Sequence, residues 1–296
     1  MKMAGPMQTE ETPKPVDPEK AMRKQRLVHN LAGIRHTVMV MSGKGGVGKS
    51  TVAANLALGL ARAGYRVGLL DMDLHGPSIP RILGISAKAL GLEGGELIAP
   101  VAYSPKLEVM SIETMMKDRD ASVIWRGPMK IKAIKQFIAD VAWGPLDFLI
   151  IDSPPGTGDE PLTIAQTVPG ARALIVTTPQ ELALADVRKA INFCQHMGMP
   201  ILGLVENFSS QTCPHCGASI PVLGQGGGLS TAKRYGLKFL GGIPWDSRIV
   251  SSEDAGRPME LDHDQSGAGP AMRSLIEKVA SACGYGAERG GKVAQN

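Results

Sequence analysis

The sequence predicts an α/β protein, a three-layer sandwich in which a mainly parallel β-sheet is covered by helices on both faces. Three observations predict it. Short apolar runs alternate along the chain with longer stretches of helical periodicity. The runs are apolar on consecutive residues, the pattern of strands buried on both faces. Glycine-rich or acidic clusters follow several of them, and ligands of such sheets bind beyond the carboxyl ends of the strands.

The elements are read in order. Residues 1–20 hold Pro6, Pro13, Pro15 and Pro18 among Glu, Lys and Thr, a composition that buries too little apolar surface to fold. A short helix is expected within residues 18–30. Strand 38–41 precedes helix 49–63, which carries Val52, Leu56 and Leu60 on one side. Strand 66–71 comes next. The glycine-rich stretch 91–99 reads as a loop or small hairpin, and strand 107–112 and helix 129–141 follow. Strands 146–152 and 172–178, helix 181–197, strand 201–206, a short strand 237–241 and a closing helix 269–283 complete the series. No internal repeat is present.

Composition narrows the function classes. The 296 residues suit one large domain or at most two. With 43% hydrophobic and 20% charged residues, the chain falls among ordinary globular proteins, and 4% aromatic residues leave the core to aliphatic side chains. A net charge of +4, with both signs well mixed, asks for neither nucleic acid nor an acidic membrane as partner. No apolar run approaches the ~20 residues of a membrane span. Residues 1–25 lack the apolar core of a signal peptide. Four cysteines do not make a disulfide scaffold in a chain this long. A reducing cytoplasm is therefore expected, with thiols free for metal.

The first chemical motif joins strand 38–41 to helix 49–63. It reads Gly43-Lys44-Gly45-Gly46-Val47-Gly48-Lys49-Ser50-Thr51. Gly43, Gly48, Lys49 and Ser50 fit the Walker A pattern, in which backbone N–H groups cradle phosphate oxygens. The positive end of the following helix adds to the attraction. Lys49 is expected on the β and γ phosphates and the Ser50 hydroxyl on Mg²⁺. Strand 146–152 ends in Asp152, the place of a Walker B carboxylate organising Mg²⁺. Gly156 follows it with an N–H available to a γ-phosphate. Strand 66–71 ends in Asp71-Met72-Asp73. Asp73 is assigned to Mg²⁺ and to orienting the attacking water, and Asp71 to supporting that shell.

The second motif is Cys213-Pro214-His215-Cys216-Gly217. Two thiolates three residues apart can grip one metal from a single turn. Alone, such a pair fits a redox dithiol, half a zinc site or half an iron–sulfur site. Cys194 falls in register with Leu184, Val187 and Ile191, and Cys283 with Met272, Ile276 and Val279, so both read as core residues. That leaves two ligands per chain, while tetrahedral zinc or a four-iron cluster asks for four cysteines. Two chains can supply them across a twofold axis. A redox dithiol would sit at a helix start in a thioredoxin-like context, which is not the context here.

With these residues in place, the chain closely resembles the Mrp/ApbC family of iron–sulfur cluster carrier ATPases. These are deviant-Walker P-loop NTPases, with MinD, ParA and the nitrogenase iron protein as relatives. The resemblance covers about residues 34–283. It rests on the phosphate motif, on residues 71–80, 151–159 and 206–209, on Trp125-Arg126-Gly127-Pro128 and Thr177-Thr178-Pro179-Gln180, and on the cysteine pair. It implies that Lys44 reaches across a homodimer to the partner's nucleotide. It implies that Asp73 lies in one switch loop, that Asp152 opens the other, and that Asn207 reads adenine. It also implies that Cys213 and Cys216 hold a [4Fe–4S] cluster between two protomers.

The expected activity is slow ATP hydrolysis coupled to binding a cluster and passing it to apo-proteins, with a scaffold protein as a further partner. The expected division is an N-terminal extension at 1–33, disordered or partly helical, an ATPase domain at 34–284 and a flexible tail at 285–296. The alternative is a MinD/ParA-like positioning ATPase with structural zinc at the dimer seam. The tail after Cys283 has no apolar stripe for a membrane, and that alternative leaves the cysteines unexplained. An electron-transfer reductase like the nitrogenase iron protein would carry its cluster cysteines elsewhere in the chain.

Overall fold

The computed structural model describes residues 18–86, 90–91, 97–115, 127–213, 215–216, 218–259 and 267–285. Expectations for residues 1–17, Trp125, Arg126, Pro214, Gly217 and 286–296 lie outside the described residues.

The chain runs α1 (Pro18–Ala32), β1 (Ile34–Ser42), α2 (Lys49–Arg62), β2 (Val67–Asp71) and α3 (Ile79–Ile82). There follow β3 (Leu90–Gly91), β4 (Ile98–Ala99), β5 (Val101–Ser104), β6 (Leu107–Ser111), α4 (Gly127–Asp140) and β7 (Leu146–Asp152). The second half holds α5 (Asp159–Thr167), β8 (Ala171–Thr177), α6 (Glu181–His196), β9 (Ile201–Thr212), β10 (Ser219–Ile220) and α7 (Gly227–Arg234). It closes with β11 (Phe239–Trp245), α8 (Ser247–Asp254) and α9 (Ala268–Ala282).

Seven strands form a parallel ladder in the order β11-β9-β8-β1-β7-β2-β6. Antiparallel β5 covers the β6 edge, and β10 folds back on the end of β9 as a hairpin. Strand residues alternate between two cores. Val38, Val40, Leu69, Ile150 and Leu174 face α2 and α9. Met39, Met41, Leu70, Leu149 and Ile151 face α4, α5 and α6. Both faces are thus buried, which is why the strands read as continuous apolar runs. In α2, Ala53, Ala54, Ala57 and Gly59 are all buried, and their small side chains let this helix lie close on the sheet. The aromatic rings are few, and Tyr65, Phe148, Tyr285 and His36 gather at the amino ends of the strands, with centroids 4.7–5.6 Å apart. The opposite end is left to glycines and polar groups.

Several elements run beyond their expected bounds, and others are new. β9 continues to Thr212 rather than ending near residue 206, because β11 and β10 supply it with partners. Strand 237–241 is displaced to Phe239–Trp245 by the same pairing. Of the stretch 91–99, residues 92–96 lie outside the described residues, while Leu90–Gly91 and Ile98–Ala99 pair antiparallel. Helices α3, α5, α7 and α8 and strand β5 have no counterpart in the sequence reading. Helix α1 is a full element, with Leu27 and Leu31 packed on the α4–α6 core. The Asn30 side-chain amide donates to the Ala139 carbonyl at 2.7 Å and the Val141 carbonyl at 3.0 Å, tying α1 to the end of α4.

Asn30→Ala removes both bonds and strands two carbonyls. Local protection of α1 should fall by about 1–3 kcal/mol. Native-state amide exchange should show this in α1 while β1 and β7 keep their protection. Unchanged exchange in α1 would mean that its apolar face alone holds it.

Candidate functional site

The three central strands end at one place. β1 runs into the glycine loop, and the ladder register sets Val40 beside Asp152 and Asp71 beside Asp152. The loop turns on Gly46 and Gly48, both at φ 78°, a left-handed backbone that glycine adopts without strain. Gly43 and Gly48 also allow close approach. A Cβ on Gly43 would lie 2.2 Å from the Asp186 carbonyl carbon of α6. One on Gly48 would lie 2.1 Å from Asn207 Nδ2 and 3.3 Å from Phe208 Cζ.

Lys49 opens α2 and is buried, with Nζ 2.6 Å from Asp152 Oδ1 and 3.3 Å from Ser50 Oγ. Asp152 is fully buried; its Oδ1 faces Lys49 while its Oδ2 meets no hydrogen-bond donor. Burial pushes the Asp152 carboxyl up, opposed by the Lys49 ammonium and by a hydrogen bond from Ser50. Asp71 Oδ1 accepts the Asp73 N–H at 3.1 Å. Its Oδ2 accepts from the Ser78 and Ile79 N–H groups and the Ser111 hydroxyl at 3.2–3.3 Å. Burial first, then the neighbouring Asp152 charge, pushes the Asp71 carboxyl up to about 8. Asp71 therefore shapes the loop that follows β2. Asp73 projects from that loop, its Oδ1 accepting from the His75 and Gly76 N–H groups at 3.3 and 3.2 Å.

Lys44, Gly45, Gly46, Gly48, Lys49, Ser50, Thr51 and Asp73 line one cavity of about 740 Å³. Gly43, Val47 and Asp152 lie beneath its wall. Asn207, expected against adenine, is buried under the loop and donates from Nδ2 to the Val47 carbonyl at 3.0 Å. It supports the phosphate loop and is absent from the cavity lining.

The far wall comes from α8, which the sequence reading missed. Val250, Glu253 and Asp254 line the cavity there. Glu253 accepts from Thr51 Oγ1 at 2.8 Å and from Asn55 Nδ2 at 3.0 Å. Burial pushes this carboxyl up. A signal existed in Asp246-Ser247, a helix start after an apolar strand; Asp246 caps α8 by accepting the Arg248 N–H at 2.8 Å.

The cysteine pair sits at the tip of the β9–β10 hairpin, whose turn is closed by the Cys213 N–H donating to the Ala218 carbonyl at 2.8 Å. Backbone N–H groups of Cys216 and His215 point at the Cys213 thiol and hold it below its ordinary value. Cys213 is half-buried and Cys216 exposed, and both are free thiols. Cys194 and Cys283 are buried, against Met41 Sδ and the Arg172 guanidinium respectively. Burial pushes the Cys194 thiol up to about 12. Among the described residues no group of three or more His, Cys, Asp or Glu side chains can hold a metal ion. No helix among them is long and apolar enough to cross a membrane.

A parallel sheet with a glycine loop between its central strand and a buried lysine, flanked by two strand-end aspartates, defines a P-loop NTPase. The family described as "ParA: NUBPL iron-transfer P-loop NTPase" matches residues 33–280, and the chain belongs to it. The "Cytosolic Fe-S cluster assembly factor NUBP2" of Bos taurus is 44% identical over 85% of this chain and 94% of its own. The "Iron-sulfur cluster carrier protein" of Methanocaldococcus jannaschii is 45% identical over 81% of this chain and 83% of its own. A solved nucleotide-binding protein of Archaeoglobus fulgidus, in complex with ADP, is 40% identical with a TM-score of 0.70. That likeness covers 81% of this chain and 94% of the other.

Asp152→Ala leaves Lys49 buried without its partner and should lower the unfolding free energy by about 3–5 kcal/mol. Adding Lys49→Met should return much of that loss. Denaturant titration of both variants checks this, and a double variant no more stable than the single one would contradict it.

Proposed function

We propose that the chain is an ATP-hydrolysing carrier that holds a [4Fe–4S] cluster between two copies of itself and passes it to apo iron–sulfur proteins. The observation that carries the reading is the hairpin-borne cysteine pair. It offers two exposed or half-exposed thiols, one held below its ordinary value by backbone N–H groups, and no further ligand nearby among the described residues. A cluster with four thiolate positions is completed by a second copy. The names of the bovine and archaeal relatives support this over a positioning ATPase. The word "cytosolic" in the bovine name also supports a cytoplasmic location for this chain.

In this reading the amides of the glycine loop receive the phosphates of ATP, and Lys49 moves part of its charge from Asp152 to them. Ser50 and Asp152 fit Mg²⁺, because a hydroxyl and a carboxylate with an unpaired buried oxygen are hard ligands on the cavity floor. Asp73 completes that set and orients water on the γ-phosphate. Mg²⁺ bound there neutralises charge developing on the phosphates. Lys44, half-buried in the loop, extends toward the nucleotide of the partner copy. Glu253 releases the Thr51 hydroxyl for the nucleotide while it keeps Asn55. The loops after Asp71 and Asp152 change with the γ-phosphate and alter how two hairpins grip the cargo. Turnover is slow because the energy goes into that rearrangement.

Anaerobic reconstitution should give a brown dimer absorbing on the order of 400 nm, with about one four-iron cluster per two chains. Cys213→Ala/Cys216→Ala should abolish bound iron and sulfide while ATP binding persists. A colourless wild type holding stoichiometric zinc would sink the carrier reading.

Lys44→Ala should lower ATP hydrolysis at least about tenfold, as expected for a charge supplied to the transition state. Its ATP affinity should change far less, by equilibrium titration. Equal loss of binding and turnover would place Lys44 on its own chain's nucleotide.

A further inference from the structure

We propose that the groove between α1, α4 and α5 is a docking site for an acidic segment of a partner protein, one whose carboxylates flank an apolar anchor. The groove encloses about 670 Å³ and lies on the α4–α6 face, away from the nucleotide cavity. Arg23 and Lys24 border it from α1, and Lys132 and Lys135 from α4. Its apolar lining includes Leu27 and Ile131, both half-buried, and no acidic residue lines it among the described residues. Lys24, Lys132 and Lys135 are exposed and meet no carboxylate among the described residues. The neighbouring Lys130, by contrast, is held by Glu160 at 2.9 Å.

Like charges brought together along a concave wall repel one another, and the repulsion grows as solvent is excluded. A ligand with carboxylates relieves it, and an apolar side chain between them covers the lining. The shape selects among anionic partners. A flat bilayer does not enter a concavity. Among the described residues no aromatic ring lines the groove, so bases find no stacking platform there. A phosphodiester chain leaves Leu27 and Ile131 uncovered. The volume falls within the ~300–1,000 Å³ range of ligand pockets, which admits a few side chains of one segment.

The groove is also joined to the nucleotide loops. Gln166 and Thr167 of α5 complete its wall, and α5 begins seven residues after Asp152. Glu160 Oε1, near the start of α5, lies 2.9 Å from Lys130 Nζ of α4 and 3.4 Å from His75 Nε2 in the loop that carries Asp73. A chain of contacts therefore links both loops to the helices that wall the groove.

The test uses the full chain and a short fluorescein-labelled peptide in which Glu and Asp flank two leucines, followed by anisotropy at low salt. Saturable binding is expected, weakening with added salt. Lys132→Glu/Lys135→Glu should weaken it at least about tenfold, with ATP binding and circular dichroism unchanged. Lys24→Glu should weaken it as well, which keeps the test open if the α4 variant fails to fold. A peptide with serines for leucines should bind more weakly. The proposal is overturned if wild type shows no saturable binding, if the folded charge-reversed variants bind equally, or if the serine peptide binds as well. It is also overturned if phosphatidylserine vesicles or a single-stranded oligonucleotide engage these lysines while the peptide does not.

Discussion

Lys49 and Asp152 meet at 2.6 Å with almost no solvent on either side chain. Each ion taken out of water costs several kcal/mol, so neither is tolerated there without the other or a substitute. The sheet leaves no room for either to withdraw, because Asp152 ends a strand paired on both sides and Lys49 begins a helix packed on the sheet. A third charge-bearing group, Asp71, is in register next door. Burial first, then the neighbouring Asp152 charge, pushes the Asp71 carboxyl up from its ordinary range. One oxygen of the Asp152 carboxylate still meets no donor. In the proposed reading Mg²⁺ meets that oxygen, and the phosphates draw on the charge of Lys49.

The sequence made this end of the molecule legible because its chemistry is local. A glycine loop is a contiguous string, and an acid at the end of an apolar run marks a strand tip without knowledge of its neighbours. What escaped depends on distant partners. Helix α7 opens on Gly226, Gly227 and Gly228, which read as a loop. It stands because the Glu206 carboxylate accepts the Gly228 N–H, and a Cβ at Gly228 would approach that oxygen to 2.9 Å. Helix α8 has no fully buried residue, so no apolar periodicity announces it. Glu253 reaches Thr51 and Asn55 across about 200 residues of sequence. Asn207 illustrates the converse. The resemblance implied that it reads adenine, while its bond to the Val47 carbonyl was visible only in three dimensions.

The cysteine pair and the phosphate site differ in completeness. The phosphate cradle draws its main groups from one chain and closes them around one cavity. The thiols stand at a hairpin tip with backbone donors behind them and solvent in front. Such an arrangement binds cargo well only when something else closes over it, and it releases cargo when that cover moves. In the proposed reading, exposure of Cys216 suits a site that exchanges its contents, whereas Cys194 and Cys283 are buried core thiols raised by that burial.

Phe208 joins these two regions. At φ 55° it is the one non-glycine residue with positive φ among the described residues, a conformation that costs about 1–3 kcal/mol. It follows Asn207, touches the space beside Gly48, and precedes the part of β9 that turns back as the hairpin. From there to Cys213 the strand spans about 17 Å at ~3.3 Å per residue. A twist of about 10° at this joint would sweep the thiols through about 3 Å over that length, more than the ~2.3 Å length of a metal–sulfur bond. In the proposed reading the strand acts as a pointer whose pivot rests against the phosphate loop, and small adjustments around a nucleotide would become displacements on the scale of a coordination sphere.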